Sequence, residues 1–234
     1  MSNLLQQKHI SELNFWRLEY DIYQKWYKGE IKELYGERIP LENEKIIDYT
    51  LPINAVLTWG KIHQQKKYLK DLMLKPNEFR HLKLLDIGSG PHPSALGYDE
   101  CEIYCLDPLL LEYQNIGYPF HVYEERVKFI TGYSEKMLFC DDYFDAIISV
   151  NALDHVDDFN KTTQEMKRVL KPSGKIRLHL HYHPKTPPCH PIELSDDIVL
   201  KALDWCEIFK IQESKEKYGH TLANKESYTV WSNF

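Results

Sequence analysis

The chain has 234 residues, 43% of them hydrophobic and 27% charged, with 29 Lys and Arg against 35 Asp and Glu for a formal charge of −6. That composition excludes global disorder and fits one large domain, or one domain with a cap. The acidic balance argues against nucleic acid as a partner, because phosphate contacts need clustered cations.

The amino terminus, MSNLLQQKHISELNF, lacks a basic start followed by an apolar block, so it reads as mature sequence. Residues 3 to about 75 are predicted mostly helical, with Leu13, Trp16, Leu18, Tyr20, Ile22, Tyr23 and Trp26 giving a crowded apolar face. Gly29, Gly36, Pro40 and Pro52 punctuate this region. Asn54 to Leu74 reads as one amphipathic helix closed by Pro76, with Lys61, Lys66, Lys67 and Lys70 on its solvated side. From Leu82 short apolar runs alternate with helical stretches. Strands are expected at 82–88, 102–107, 126–132, 143–151 and 175–183, with a helix over 158–170 that ends at Lys-Pro-Ser-Gly. A Pro-rich loop (184–191) and a helix near 196–203 follow. Two last strands, about 205–212 and 226–233, are joined by a polar loop containing Gly219 and read as an antiparallel hairpin. The expected fold is α/β: a doubly wound, mostly parallel seven-stranded sheet over residues 80–234, behind a helical cap over residues 1–79. No apolar run approaches the roughly 20 residues that cross a bilayer. Five cysteines at irregular spacing, with no C-x-x-C pair, give no disulfide framework and point to a reducing cytoplasm.

The segment Leu84-Leu85-Asp86-Ile87-Gly88-Ser89-Gly90-Pro91-His92 runs a buried strand into a Gly-x-Gly turn, where a ligand can approach the backbone closely. A dinucleotide fingerprint would need a third glycine at Pro93 and fails there. Asp86, just before the first glycine, would repel a pyrophosphate but suits an ammonium group. Asp107 ends the second strand 21 residues on, where doubly wound nucleotide folds place the acid that holds ribose hydroxyls. A ligand with both groups is S-adenosylmethionine.

Over about residues 80–183 the sequence resembles the class I S-adenosylmethionine-dependent methyltransferases, especially the methyltransferase domain 11 type. LLDIGSGP, CLDP, TGYSEKMLF, and FDAIISVNALDHVDD with EMKRVLKPSGKI match that family's segments in order. The resemblance implies a Rossmann-like fold and S-adenosyl-L-methionine as cofactor. It implies that Gly88, Ser89 and Gly90 shape the loop beside the methionine portion, that Asp86 orients the amino group and that Asp107 takes the ribose hydroxyls. Pro108 and Leu109 would lie near the adenine and Ser134 at its edge, while Asn151 and Leu153 would line the wall near the methyl group. Two positions depart from the pattern: His92 replaces a small residue, and Tyr133 replaces the aspartate often used for the adenine amino group.

Methyl transfer to a hydroxyl is helped by a nearby base. His155, following Asp154 at the carboxyl edge of the sheet, is one candidate, against the reading that the pair merely caps the next helix. His179, His181 and His183 alternate on one strand face with Arg177. The upper two would reach the substrate cavity, joined by Cys189, His190 or Glu193 from the loop, and His181 is the second catalytic candidate. Along a strand the three histidines span about 13 Å, too far to grip one ion, so no metal is expected. Phe15, Trp16, Tyr20, Tyr23, Trp26, Tyr27, Tyr35, Tyr49 and Trp59 crowd the cap, either walling an acceptor pocket or packing helices. The histidines, aromatics and acidic charge favour O-methylation of a small molecule or glycan precursor. Methylation of an amine or a macromolecule, and a catalytically inactive regulatory subunit, are the alternatives.

Overall fold

The computed structural model describes residues 3–34, 37–38, 51–186, 188–217 and 220–234. The expectations for Tyr35, Gly36, Pro40, Tyr49 and Gly219 lie outside the described residues.

Seven strands form the main sheet: β1 (Lys83–Ile87), β2 (Glu102–Asp107), β3 (Val127–Thr131), β4 (Phe144–Val150), β5 (Leu170–Tyr182), β6 (Phe209–Ser214) and β7 (Ser227–Ser232). Their spatial order is β3-β2-β1-β4-β5-β7-β6. The first five are parallel, and β7 runs antiparallel between β5 and β6, so the last hairpin closes one edge as expected. The order reverses between β1 and β4, which places a crevice above the carboxyl ends of β1, β2 and β4.

Strand alternation divides the core between the two faces. Leu85, Ile87, Leu106, Ile147, Leu178 and Leu180 pack on one side, and Leu84, Ile103, Cys105, Ala146 and Ile148 on the other. Parallel strands buried on both faces need apolar residues at nearly every position, and β1 and β4 supply them. On β5 the polar residues instead find specific partners. Arg177 Nη1 donates to the Leu72 carbonyl at 2.6 Å, and its guanidinium lies 4.5 Å from the Phe234 ring centroid.

The amino-terminal region is helical. Helix α1 (Asn3–Lys28) packs on α2 (Leu51–Trp59), which continues through a π-helical segment, Gly60–Lys67, into the short α3 (Tyr68–Asp71). The predicted amphipathic helix is therefore present, with a π distortion that periodicity did not reveal. Tyr23, Trp26 and Trp59 of this cap join Leu109, Leu110, Tyr113 and Tyr118 in a third apolar cluster around α4 (Leu110–Ile116). Helix α5 (Phe159–Val169) starts at Asp158, whose side chain accepts from Lys161 N–H, and α6 (Asp196–Ala202) starts at Ser195 in the same way.

One connection is unusual. The glycine turn after β1 leads only to a 3₁₀ turn, Ser94–Gly97, and not to an α-helix. Pro91 and Pro93 interrupt the turn, and the π segment and α3 occupy the adjoining space. A Cβ added at Gly97 would stand 3.1 Å from the Gln65 carbonyl oxygen and from Leu69.

Candidate active site

The crevice is a cavity of about 560 Å³ that Asp86, Gly88, Ser89, Gly90, Asp107, Pro108, Ser134, Asn151, His155 and His181 all line. The two acids, 21 residues apart in sequence, therefore face one space. Gly88 has φ +67°, and a Cβ there would lie 2.2 Å from the Ala152 Cβ, so only glycine fits. Gly90 has φ +57°, and its N–H donates to Asp107 Oδ2 at 3.0 Å, which ties the glycine turn to the second acid. Leu109 N–H donates to the other oxygen at 2.9 Å. Asp86 Oδ2 accepts from Ala95 N–H at 3.1 Å. Burial raises both carboxyls to about 7, although these N–H donors oppose the shift. Each is a buried acid with no basic side chain among the groups that shift it, a setting a bound ammonium or a pair of hydroxyls would relieve.

Helix α1 roofs the cavity with Lys8, His9, Glu12, Phe15 and Trp16. Lys8 Nζ donates to the His155 carbonyl at 3.0 Å and pairs with Asp157 at 2.5 Å, and Tyr118 OH donates to the Trp16 carbonyl at 2.8 Å. His9 stacks on Tyr133, with ring centroids 6.1 Å apart, beside Ser134. Ser134 itself shares a hydrogen bond with Thr162 at 3.0 Å. His92 also lines the cavity. It is 3% exposed in a box made by Trp16, Tyr23 and Tyr118, and burial lowers its pKa to about 3, so the ring is neutral.

At the ends of β4 and β5 the polar side chains form a connected group. Asn151 has φ +50°, and its amide oxygen lies 2.7 Å from His179 Nδ1 while its amide nitrogen donates to Tyr68 OH at 3.1 Å. Asp154, 1% exposed, receives His190 Nδ1 at 2.9 Å and His183 Nε2 at 3.1 Å on one oxygen. Burial alone would raise this carboxyl, but the His183 and His190 hydrogen bonds, with the charge of His155, hold it far below the usual carboxylate range. The same Asp154 bond raises the pKa of His183.

Leu153 is a correction. It is fully buried in the apolar core with Leu85 and Ile147 and is not among the residues lining the cavity. The turn at Asn151 breaks strand alternation, so counting from β4 misplaces it. Sequence reasoning also gave Asp154 too small a part, treating it as a neighbour of His155 when it is the hub. His9, Glu12, Gln64 and Tyr228, which also line the cavity, carried no recognisable sequence signal.

The sequence profile of a family described as a methyltransferase domain matches residues 85–178. An uncharacterized methyltransferase of Bacillus subtilis (strain 168), YcgJ, is 34% identical over 120 residues, which cover 50% of this chain and 47% of that protein. The chain thus matches about half the length of this curated relative. The crystal structure of YcgJ superposes with a TM-score of 0.57 at 20% identity, covering 73% of this chain and 97% of that one. A SAM-dependent methyltransferase from Aquifex aeolicus gives 0.51 at 18% identity, covering 75% and 92%. An arsenic(III) S-adenosylmethionine methyltransferase from Chlamydomonas reinhardtii gives 0.52 at 18% identity, covering 68% and 65%. At these identities the structural likenesses establish the fold, which is the one that S-adenosylmethionine-dependent methyltransferases share. Residues 85–178 match the methyltransferase domain family.

Proposed function

We propose that the protein transfers a methyl group from S-adenosylmethionine to a hydroxyl of a small molecule or glycan precursor. The observation that carries this reading is that Asp86 and Asp107, both buried, line one cavity together with the glycine turn. Asp86 would hold the ammonium and Asp107 the ribose hydroxyls. Gly88, Ser89, Gly90 and Asn151 would border the methionine portion, and Pro108, Leu109 and Ser134 the adenine. The bound cofactor supplies a methyl group already activated by a sulfonium. Alignment and exclusion of water then fall to the chain, and the α1 roof provides the cover. An acceptor would enter beside Tyr68, His181, His190 and Tyr228, a wall of aromatic faces and imidazoles suited to a sugar or a planar hydroxylated ring. His155 and His181 are the cavity imidazoles from which proton acceptance is inferred.

No helix among the described residues is long and apolar enough to cross a membrane, and all five cysteines are unpaired. From the thiols we infer a reducing compartment such as the cytoplasm.

Calorimetry with S-adenosylmethionine tests the shared premise, and Asp107→Ala should weaken binding about 10- to 100-fold. Absence of binding by the wild type at millimolar cofactor would remove the reading. Incubation with methyl-labelled cofactor and metabolite extracts then tests transfer. Label in an ether-stable product supports O-methylation, label on nitrogen moves the acceptor to an amine, and binding without transfer to any extract favours a regulatory subunit.

A further inference from the structure

The group built on Asp154 holds more imidazole than proton transfer needs. Asp154 Oδ2 lies 2.9 Å from His190 Nδ1, 3.1 Å from His183 Nε2 and 3.5 Å from His155 Nε2. These separations bracket the edge, roughly 3.3 Å, of a tetrahedron whose donors stand about 2.0–2.1 Å from a central ion. Two sets sharing Asp154, one with His155 and His190 and one with His181 and His183, bring their donor atoms within 4.8 Å of one another. The second Asp154 oxygen, Oδ1, is buried without a hydrogen-bond partner among the described residues. His183 Nδ1 lies 2.7 Å from the Pro184 carbonyl, which can only accept, so Nδ1 carries the hydrogen and Nε2 is the nitrogen turned to Asp154. His183 so fixed stands against Asp154 as the neighbour that orients the carboxylate.

We propose that Asp154, His155 and His190 form a binding site for one divalent transition-metal ion of the zinc class. One carboxylate and two imidazoles suit Zn²⁺, Fe²⁺ or Co²⁺, whereas Mg²⁺ and Ca²⁺ prefer oxygen throughout. The donors come from separate elements that the fold brings together. Asp154 and His155 follow β4, and His190 sits on a loop closed by paired backbone bonds between Thr186 and His190 at 3.0 and 3.2 Å. The sequence argument against an ion concerned His179, His181 and His183. Here His179 is bound to Asn151 and stands outside the donor set. Asp154, His155 and His190 line the cavity, so the ion has an open side towards an acceptor oxygen, whose pKa it would lower. His181 then remains as a cavity imidazole outside the donor set. This use of the ion rests on the methyl-transfer reading, but its binding does not.

The test is calorimetric titration of the chelator-stripped full chain with ZnCl₂ in the absence of nucleoside, followed by CoCl₂ with visible absorption. The expected result is one Zn²⁺ per chain and cobalt bands typical of four or five ligands. His155→Ala and His190→Ala, at side chains 30% and 28% exposed, should each weaken zinc binding at least about tenfold while the far-ultraviolet dichroism is unchanged. His121→Ala, at an exposed surface position, should bind like the wild type. Failure of the wild type to take up a stoichiometric ion overturns the site, as does equal binding by the His155 and His190 variants. Zinc uptake without S-adenosylmethionine binding would leave the ion site standing and remove the methyl-transfer reading, and the reverse result would remove the ion site alone.

Discussion

At Asp86 and Asp107, burial and hydrogen bonding pull in opposite directions, and burial wins, raising both carboxyls to about 7. An unfolded aspartate titrates near its ordinary value of 3.8, so between there and about 7 the folded chain holds protons that the unfolded chain has lost. Stability of the ligand-free protein should therefore fall as pH rises through this window, by at most about 1.4 kcal/mol per pH unit for each carboxyl. Thermal unfolding from pH 5 to 8 should show a shallower decline in Asp86→Asn than in the wild type, and parallel curves would count against the buried-acid account. Cofactor affinity should rise over the same range, because the ammonium recruits the ionised form. The two glycines of the turn make a second residue-scale contrast. Gly88→Ala meets both a positive φ and a 2.2 Å overlap, whereas Gly90→Ala meets a positive φ with its nearest neighbour, Trp16, at 3.6 Å. Denaturant midpoints should show a loss of about 3 kcal/mol or more for the first and about 1 kcal/mol for the second. These acids and glycines were legible in the sequence because each sits at a fixed place relative to a strand end. Leu153 was not, because the left-handed residue at Asn151 turns the chain before it and ends the two-residue period that the reading relied on. The hub role of Asp154 was equally hidden, since two of its partners, His183 and His190, lie 29 and 36 residues away in sequence.

At the scale of elements, the strands were read to within two residues, except for β5, which begins early at Leu170, and the hairpin strand β6. Runs buried on both faces leave little choice of conformation. The helical segments were read less completely. Apolar spacing identified the helix after Asn54, but not the π segment over Gly60–Lys67 within it, whose His63 and Gln64, with the following Tyr68, line the cavity. A π distortion depends on packing against the 3₁₀ turn and leaves no mark in composition. The placement of α1 over the crevice is also tertiary information. Trp16 holds that placement, with its ring centroid 5.9 Å from His92 and 6.1 Å from Tyr113, and its carbonyl bonded to Tyr118. Trp16→Ala should cost about 1–3 kcal/mol, less than a fully buried tryptophan because the ring is half-exposed. Its clearest signature should be faster amide exchange along residues 5–20 and faster cofactor release in stopped-flow displacement, with β1 and β4 protected as in the wild type. Unchanged exchange in α1 would mean that Trp16 does not hold the roof in place.

For the whole molecule, the question is whether the cap is a domain of its own, as the division between residues 1–79 and 80–234 assumed. Packing runs across that boundary. Leu72, Leu74 and Phe79 belong to the same buried cluster as Leu84, Ile103 and Ile148 of the sheet. Tyr23, Trp26 and Trp59 are buried against Leu109, Leu110, Tyr113 and Tyr118 around α4. Arg177, deep on β5, gives its guanidinium hydrogen to the carbonyl of Leu72. Removing the cap would thus strip apolar cover from α4 and one sheet face, leave a buried arginine without that acceptor, and open the cavity above Asp86. Each uncovered large side chain forfeits about 1.5–3 kcal/mol of burial, so losing several of them exceeds the margin of about 5–15 kcal/mol by which domains are stable. We therefore propose that cap and sheet fold as one cooperative unit. A chain starting at residue 80 should bind a hydrophobic dye and lose the single sharp thermal transition of the intact protein. Restoring residues 51–79 should recover part of the cooperativity by covering Leu84 and Ile103, and restoring α1 as well should recover the rest. If the shorter chain unfolds cooperatively near the full-length midpoint, the cap is an appendage and its aromatic residues serve the acceptor more than the fold.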